Sequence, residues 1–199
     1  RDNKSLAHNR RCIMRIVAFY TPNYAPIAKT LTDSIEKFGY DYTTYEVEDR
    51  GCWEKNCAQK PEVILKAMQE YKDDILYLDA DATILRELPL HELFGDTIMF
   101  YLLQWVQEGK KINELISATI YIPYNEKNLD LVKQWGKHQK KDPMIWDQKT
   151  LGEVLNKLKD YKFNTLSAEW NYIEKYHAPF LTLDPIIIQS QASRTMKDE

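Results

Sequence analysis

Apolar and polar positions change their spacing several times along this chain, and each change marks an element. From Ile13 the run Ile-Met-Arg-Ile-Val-Ala-Phe-Tyr reads as a first strand, closed by the turn signal Thr21-Pro22-Asn23. Tyr24 to Phe38 then places apolar residues at Ile27, Leu31, Ile35 and Phe38, a helical stripe that stops at Gly39. Tyr42 to Val47 reads as a second strand. Glu48 to Gln59 is polar around a lone Trp53 and reads as a long loop. Lys60-Pro61 opens a helix to about Tyr71, with proline in its first turn.

Ile75 to Leu78 is a short, wholly apolar run, the pattern of a strand buried on both faces as in a parallel sheet. It breaks at Asp79-Ala80-Asp81, and apolar residues resume directly. Thr97 to Leu103 and Ile112 to Ile122 read as further strands, Asn125 to about Gln139 as a helix, and Trp146-Asp147-Gln148 as the cap of a helix reaching Leu158. The last forty residues mix Tyr161, Phe163, Trp170, Tyr172, Tyr176 and Phe180 with turns, then close on Pro185-Ile-Ile-Ile188. Those aromatics serve either a core or a groove in which rings stack on sugars. The pattern predicts a flexible leader over 1–12 and a single α/β domain over 13–199, with a mostly parallel central sheet flanked by helices. The opening β-α-β has no Gly-x-Gly-x-x-Gly, which disfavours a dinucleotide fold of the NAD type.

Bulk properties narrow the function classes. The chain has 199 residues, 44% apolar and 29% charged, with a net charge of −3. That is ordinary globular composition with no nucleic-acid footprint. Lys110-Lys111 and Lys137 to Lys141 are short basic runs beside acidic residues, the pattern of solvated faces. No apolar run reaches the length of a membrane span and no signal-peptide pattern opens the chain, so the expected location is cytoplasmic, or the host cytosol for a virus-encoded protein. Three cysteines, Cys12, Cys52 and Cys57, are too few and too irregularly spaced for a disulfide framework or a zinc site.

The acids at the end of the buried run carry the candidate chemistry. Side chains two apart on an extended strand point the same way, so Asp79 and Asp81 can converge across the Ala80 methyl. Two anions so close repel unless a cation compensates them, and a hard divalent ion completed by waters and phosphates does so. Ligand sites of open α/β sheets lie at the carboxyl ends of strands, where this pair sits. The alternative is a solvated turn whose aspartates cap backbone amides. The motif pattern reads as the metal and diphosphate site of a nucleotide-sugar enzyme.

Taken in order, Phe19-Tyr-Thr-Pro-Asn-Tyr-Ala25, the Lys60-Pro61 helix, Leu76-Tyr-Leu-Asp-Ala-Asp81, Ile116-Ser-Ala-Thr119 and Asp147-Gln148 before a helix resemble the GT-A class of metal-dependent glycosyltransferases. The nearest likeness is to the retaining, galactosyltransferase- and glycogenin-like branch, which includes viral and phage-encoded members. It runs from about residue 14 to the tail. The resemblance implies transfer of a sugar from a nucleoside diphosphate, a UDP-sugar in most of the class, to a hydroxyl of a glycan or glycoprotein, with Mn2+ (or Mg2+) as cofactor.

Residue by residue, the resemblance implies that Tyr20, Thr21, Asn23 and Tyr24 hold the base and ribose, with Lys60 toward the donor and the Ala80 backbone beside the ribose. Asp79 and Asp81 stand as metal ligands, Ser117 and Ala118 as donor-sugar contacts, and Asp147 with Gln148 as the catalytic pair under that sugar. The class usually places a histidine as third ligand where this chain has Gln189; an amide oxygen can ligate a hard cation but adds no charge, so the expectation is weaker metal binding through Gln189, or a ligand supplied by Gln191 or His177. Arg194 and Lys197 are further cations for the diphosphate, on a tail that either folds over it or frays. Two rivals remain. A sugar-nucleotide pyrophosphorylase would carry a glycine-rich, arginine-containing loop after the first strand, where this chain has Tyr-Thr-Pro-Asn-Tyr. A non-catalytic nucleotide-sugar-binding module would keep the fold and lose turnover.

Overall fold

A computed structural model of the chain describes residues 14–178 and 183–195, with the side chains of Arg194 and Thr195 outside that description. The expected leader over 1–12 lies outside the described residues. The elements, in order, begin with strand β1 (Met14–Tyr20), helix α1 (Ala25–Phe38), β2 (Tyr42–Glu46), the single turn α2 (Trp53–Cys57) and α3 (Lys60–Tyr71). There follow β3 (Asp74–Leu78), β4 (Ala82–Ile84), β5 (Met99–Gln107), β6 (Lys110–Ile122), α4 (Glu126–Gln139), α5 (Asp147–Lys157) and β7 (Asn164–Leu166). Short α6 (Glu174–His177), β8 (Ile187–Gln189) and α7 (Ala192–Thr195) close the described part.

Six strands form one sheet in the order β2-β1-β3-β6-β5-β7, and β4 pairs with β8 in a second, two-stranded sheet. Three of the five pairings in the large sheet are parallel, β1 with β2, β1 with β3 and β5 with β7, and β6 runs antiparallel to both neighbours. The expected mostly parallel α/β sheet flanked by helices is what forms. Thr97–Leu103 and Ile112–Ile122 prove to be the halves of one long hairpin, turned at Glu108 and Gly109, both with positive φ.

The alternation of β3 explains the two cores. Ile75 and Tyr77 face one side, with Val63, Ile64 and Met68 of α3 and Val132 and Trp135 of α4. Leu76 and Leu78 face the other, with Leu31 and Ile35 of α1, Trp170 and Ile186. All four residues of this run are fully buried, which is why it carries no polar position. Fully burying a side chain such as Ile64 contributes about 1.5–3 kcal/mol. α1 ends at Gly39 with φ 71°, the left-handed residue that stops the helix. Asn125 caps α4 by accepting the Asn128 amide hydrogen.

From β1 the chain moves to β2 on one side of it and later to β3 on the other, with α1 and α3 on opposite faces of the sheet. The crevice between the carboxyl ends of β1 and β3 is therefore a topological switch point, the usual ligand site of such sheets. Among the described residues no helix is long and apolar enough to cross a membrane.

Candidate active site

A cleft of about 540 Å³ opens at this switch point. Its floor is built around one sealed ammonium. Lys60, the first residue of α3, is 3% exposed, and its Nζ lies 2.7 Å from Asp147 Oδ2 and 2.9 Å from Asp79 Oδ1. It also donates to Ser117 Oγ at 3.1 Å and to the Ser117 carbonyl at 3.2 Å. Burial alone would lower the pKa of this amine, but Asp147 and Asp79 outweigh it and hold the value above that of an ordinary lysine. A cation at a helix N-terminus opposes the helix dipole, so the two carboxylates are also what makes this position tolerable.

Ser117 on β6 passes the network on, donating to Asp147 Oδ2 at 2.6 Å. Asp147 and Gln148 open α5, and Gln148 Nε2 donates to Glu114 Oε1 on β6 at 2.7 Å. No side-chain bond caps α5, because its N-cap is Trp146, whose indole has no acceptor to offer, and the Asp147 carboxylate in the first turn is engaged by Lys60 and Ser117. Tyr77, fully buried at i−2 from Asp79, donates to Asp79 Oδ1 at 2.8 Å. Burial and then the Asp79 charge push the Tyr77 phenol pKa well up, so it remains a donor.

The Asp79-Ala80-Asp81 segment differs from the extended geometry expected of it. It is a tight turn in which the Ala82 amide donates to the Asp79 carbonyl at 3.0 Å. The turn is needed because β4 leaves the large sheet to pair with β8, Ala82 opposite Gln189. The turn is pinned twice by the returning chain, through Ser190 N–H to the Asp81 carbonyl and Ala192 N–H to Asp81 Oδ2 at 2.9 Å. The amide-accepting role weighed as an alternative thus holds for Asp81, although Asp79 and Asp81 both line the cleft. Burial, and next the Asp79 charge, raise the Asp81 carboxyl pKa, the mark of an anion short of compensation.

Gln189 on β8 is 4% exposed; its Nε2 donates to Thr119 Oγ1 at 3.0 Å, and its Oε1 is buried with no hydrogen-bond partner. Among the described residues no three His, Cys, Asp or Glu side chains gather to hold a metal ion. The orphaned amide oxygen nevertheless shares the cleft with Asp79 and Asp81, and together they make an all-oxygen donor set, the kind a hard divalent cation takes together with waters or phosphate. His177, the histidine among the alternative ligands, is engaged at both ring nitrogens, by the Ile173 amide and by Tyr101 Oη. Burial lowers its pKa, and it packs as a neutral ring rather than facing the acids.

Apart from His177, Arg194 and Lys197, the residues assigned a nucleotide, metal, donor-sugar or catalytic role from the sequence line this one cleft. Tyr20, Thr21, Asn23 and Tyr24 form its wall after β1, where Thr21 Oγ1 donates to Asn23 Oδ1 at 2.6 Å. Lys60, Ala80, Ser117, Ala118, Asp147, Gln148 and Gln189 complete the floor with the two acids, and Gln191 lies at its edge. Of the late aromatics, Tyr176 lines the cleft, Trp170 is core with its Nε1 on Glu92, and Phe180 is outside the described residues. Lys197 and the Arg194 side chain also fall outside them.

Sequence reasoning missed several lining residues. Cys52, Trp53, Asn56 and Cys57 come from α2 and its approach, in the stretch expected to be loop. Trp53 stands edge-on to Trp146, with ring centroids 6.1 Å apart. Leu103, Glu114 and Ile116 come from the long hairpin. The lone Trp53 in a polar stretch was the one available signal; nothing marked Glu114.

No protein-family model and no curated protein matches the sequence. Solved structures do. A glycosyltransferase involved in the glycosylation of the major capsid of PBCV-1 shares the fold with a TM-score of 0.72 at 14% identity, over 93% of this chain and 96% of that one. The bifunctional glycosyltransferase WbbM gives 0.63 at 12% identity, over 95% of this chain and 47% of that larger one. The chain therefore has the α/β fold of these glycosyltransferases, and the cleft at its switch point is its candidate active site.

Proposed function

We propose that this protein is a retaining GT-A glycosyltransferase that moves a sugar from a nucleoside diphosphate, a UDP-sugar, to a hydroxyl of a glycan or glycoprotein. The observation that carries the reading is the Lys60–Asp147–Asp79 cluster beside Asp81 at the switch point of a fold shared with glycosyltransferases. Three carboxylates against one ammonium leave this floor net negative. That suits a divalent cation, Mn2+ or Mg2+, held by Asp79, Asp81 and the Gln189 amide oxygen. Bound there, the ion would supply Lewis-acid stabilisation to the departing diphosphate.

The chain's own residues do the rest. The wall from Tyr20 to Tyr24 holds the base and ribose, and Ser117, Ala118 and Asp147 position the donor sugar. Asp147 Oδ2 is occupied by Lys60 and Ser117, which blunts it as a nucleophile. Gln148 is an amide committed to Glu114. Both facts favour attack by the acceptor on the face the diphosphate leaves, with Asp147 orienting sugar hydroxyls. The PBCV-1 neighbour's role in capsid glycosylation supports a glycoprotein-linked acceptor.

A thermal-shift screen of nucleoside diphosphates with and without manganese, followed by turnover on nucleotide sugars, tests the reading. Manganese-dependent stabilisation by UDP and slow donor hydrolysis are expected, and NMR of the first product should show the donor's anomeric configuration. A requirement for pyrophosphate would identify the pyrophosphorylase instead, and binding without turnover the inactive module.

A further inference from the structure

The hairpin of β5 and β6 carries a ladder of residues that leads out of the cleft. Cross-strand partners at alternate positions are Tyr101 with Ile116, Leu103 with Glu114, Trp105 with Ile112 and Gln107 with Lys110. Residues two apart on a strand face the same way, so these pairs share one side of the hairpin. Leu103, Glu114 and Ile116 line the cleft, which fixes that side as the inner one. Trp105 and Ile112 follow about 7 Å farther along the strands, two residues on. This far half of the hairpin projects from the core, and Trp105 is 36% exposed.

The chemistry along the ladder alternates. At its base Glu114 Oε1 accepts from Gln148, the residue after Asp147, so the first rung adjoins the sugar-positioning end of the cleft. The next rung is an indole with an aliphatic neighbour. An acid at the base repels nucleotide phosphates and anionic glycans, while a carboxylate–amide pair binds hydroxyl groups through hydrogen bonds. An indole beyond it offers a flat apolar face with a polar edge. A chain of uncharged pyranose rings presents that same sequence of hydroxyl edges and C–H faces.

We propose that this inner face is the acceptor subsite, taking an uncharged oligosaccharide of at least two rings. The inner ring lies over Leu103 with hydroxyls on Glu114 and Gln148, and the next ring stacks on Trp105. The proposal rests on the transferase reading above for its role as acceptor site, but its binding component stands by itself.

The test uses a printed array of defined neutral and anionic oligosaccharides, followed by titration of the best-bound one, with the UDP–manganese thermal shift as the control for an intact fold. Binding of neutral oligosaccharides in preference to anionic ones is expected. Trp105→Ala should weaken it about tenfold, which corresponds to about 1.4 kcal/mol, and Trp105→Phe should restore most of the loss. In turnover, Trp105→Ala should raise the acceptor KM with little change in kcat. An array left blank by the wild-type protein, a preference for anionic glycans, or binding indifferent to Trp105→Ala would overturn the subsite. If the wild-type protein shows no UDP–manganese shift, the transferase reading fails first. With the shift present and any of those array results, the subsite alone fails.

Discussion

Lys60 Nζ and Asp147 Oδ2 meet at 2.7 Å with both side chains almost sealed from solvent, 3% and 6% exposed. A buried charge whose partner is removed is costly, whereas replacing both partners together costs little. Lys60→Met should therefore destabilise the protein by about 3–5 kcal/mol, and Lys60→Met with Asp147→Asn should recover part of that loss. Urea unfolding midpoints of the two variants check this; equal losses in both would show that the pair is not coupled.

Asp81 makes stability fall as pH rises. Burial and then Asp79 raise its carboxyl pKa in the folded chain above the unfolded value. The folded state thus holds a proton that the unfolded state has released, from about pH 4 upward. The group's contribution is most favourable below that window and declines as pH rises through the folded pKa. Asp81→Asn should flatten this part of the profile, stabilise the metal-free protein at neutral pH, and remove stabilisation by manganese. Tm against pH for both proteins, with and without the metal, decides it. An unchanged slope in the variant would contradict the assignment.

Asp79 lies under both the Tyr77 hydroxyl and the Lys60 ammonium. Asp79→Ala should lower kcat at least about a hundredfold, because metal-type charge stabilisation is worth several kcal/mol and about 1.36 kcal/mol is tenfold in rate. Steady-state turnover on the donor found by screening measures it, and near-normal kcat would remove the proposed role.

The unpartnered Oε1 of Gln189 makes a directional prediction for metal affinity. Gln189→Leu should raise the manganese concentration giving half the thermal shift by about tenfold or more, the scale on which even the outer partners of a metal ligand act. Gln189→His should lower it by supplying an imidazole. Titration of the UDP shift with manganese reads both, and identical curves for all three proteins would place the ion elsewhere.

Cys57 lines the cleft but should be inert. Burial, and next the Asp147 charge, raise its thiol pKa far above the ordinary range, and the thiolate is the reactive form. With Cys12 and Cys52 changed to serine, modification by a disulfide reagent at neutral pH should be much slower than after unfolding in urea. Rapid labelling of the folded variant would contradict the burial.

Most of the architecture was written in local patterns. The all-apolar Ile75–Leu78 run requires a strand covered on both faces, Gly39 and Pro61 mark helix ends by their own stereochemistry, and the acids at the strand's end mark the crevice. What the sequence withheld depends on partners distant along the chain. The turn at Asp79–Asp81 exists because β4 pairs with β8, about a hundred residues later in sequence. The burial of Lys60 depends on Asp147, and no local rule anticipates a sealed lysine at the start of a helix. α2 is five residues long and shows no stripe. The hairpin turn at Glu108-Gly109 lacks the usual Asn-Gly or Asp-Gly signal, so its two strands read as unrelated.

The docking of β8 on β4 has a consequence for shortened forms of the chain. Residues 187–192 hold the acid turn in place through Gln189, Ser190 and Ala192. A chain cut before Ile187 would carry every strand of the large sheet, with Asp79 still held by Lys60 and Tyr77 but Asp81 without its two contacts from the returning chain. Such a truncated chain would keep its scaffold and lose the brace on one side of the acid turn, so residues 187–192, far from the sheet in sequence, set how firmly the acids are presented.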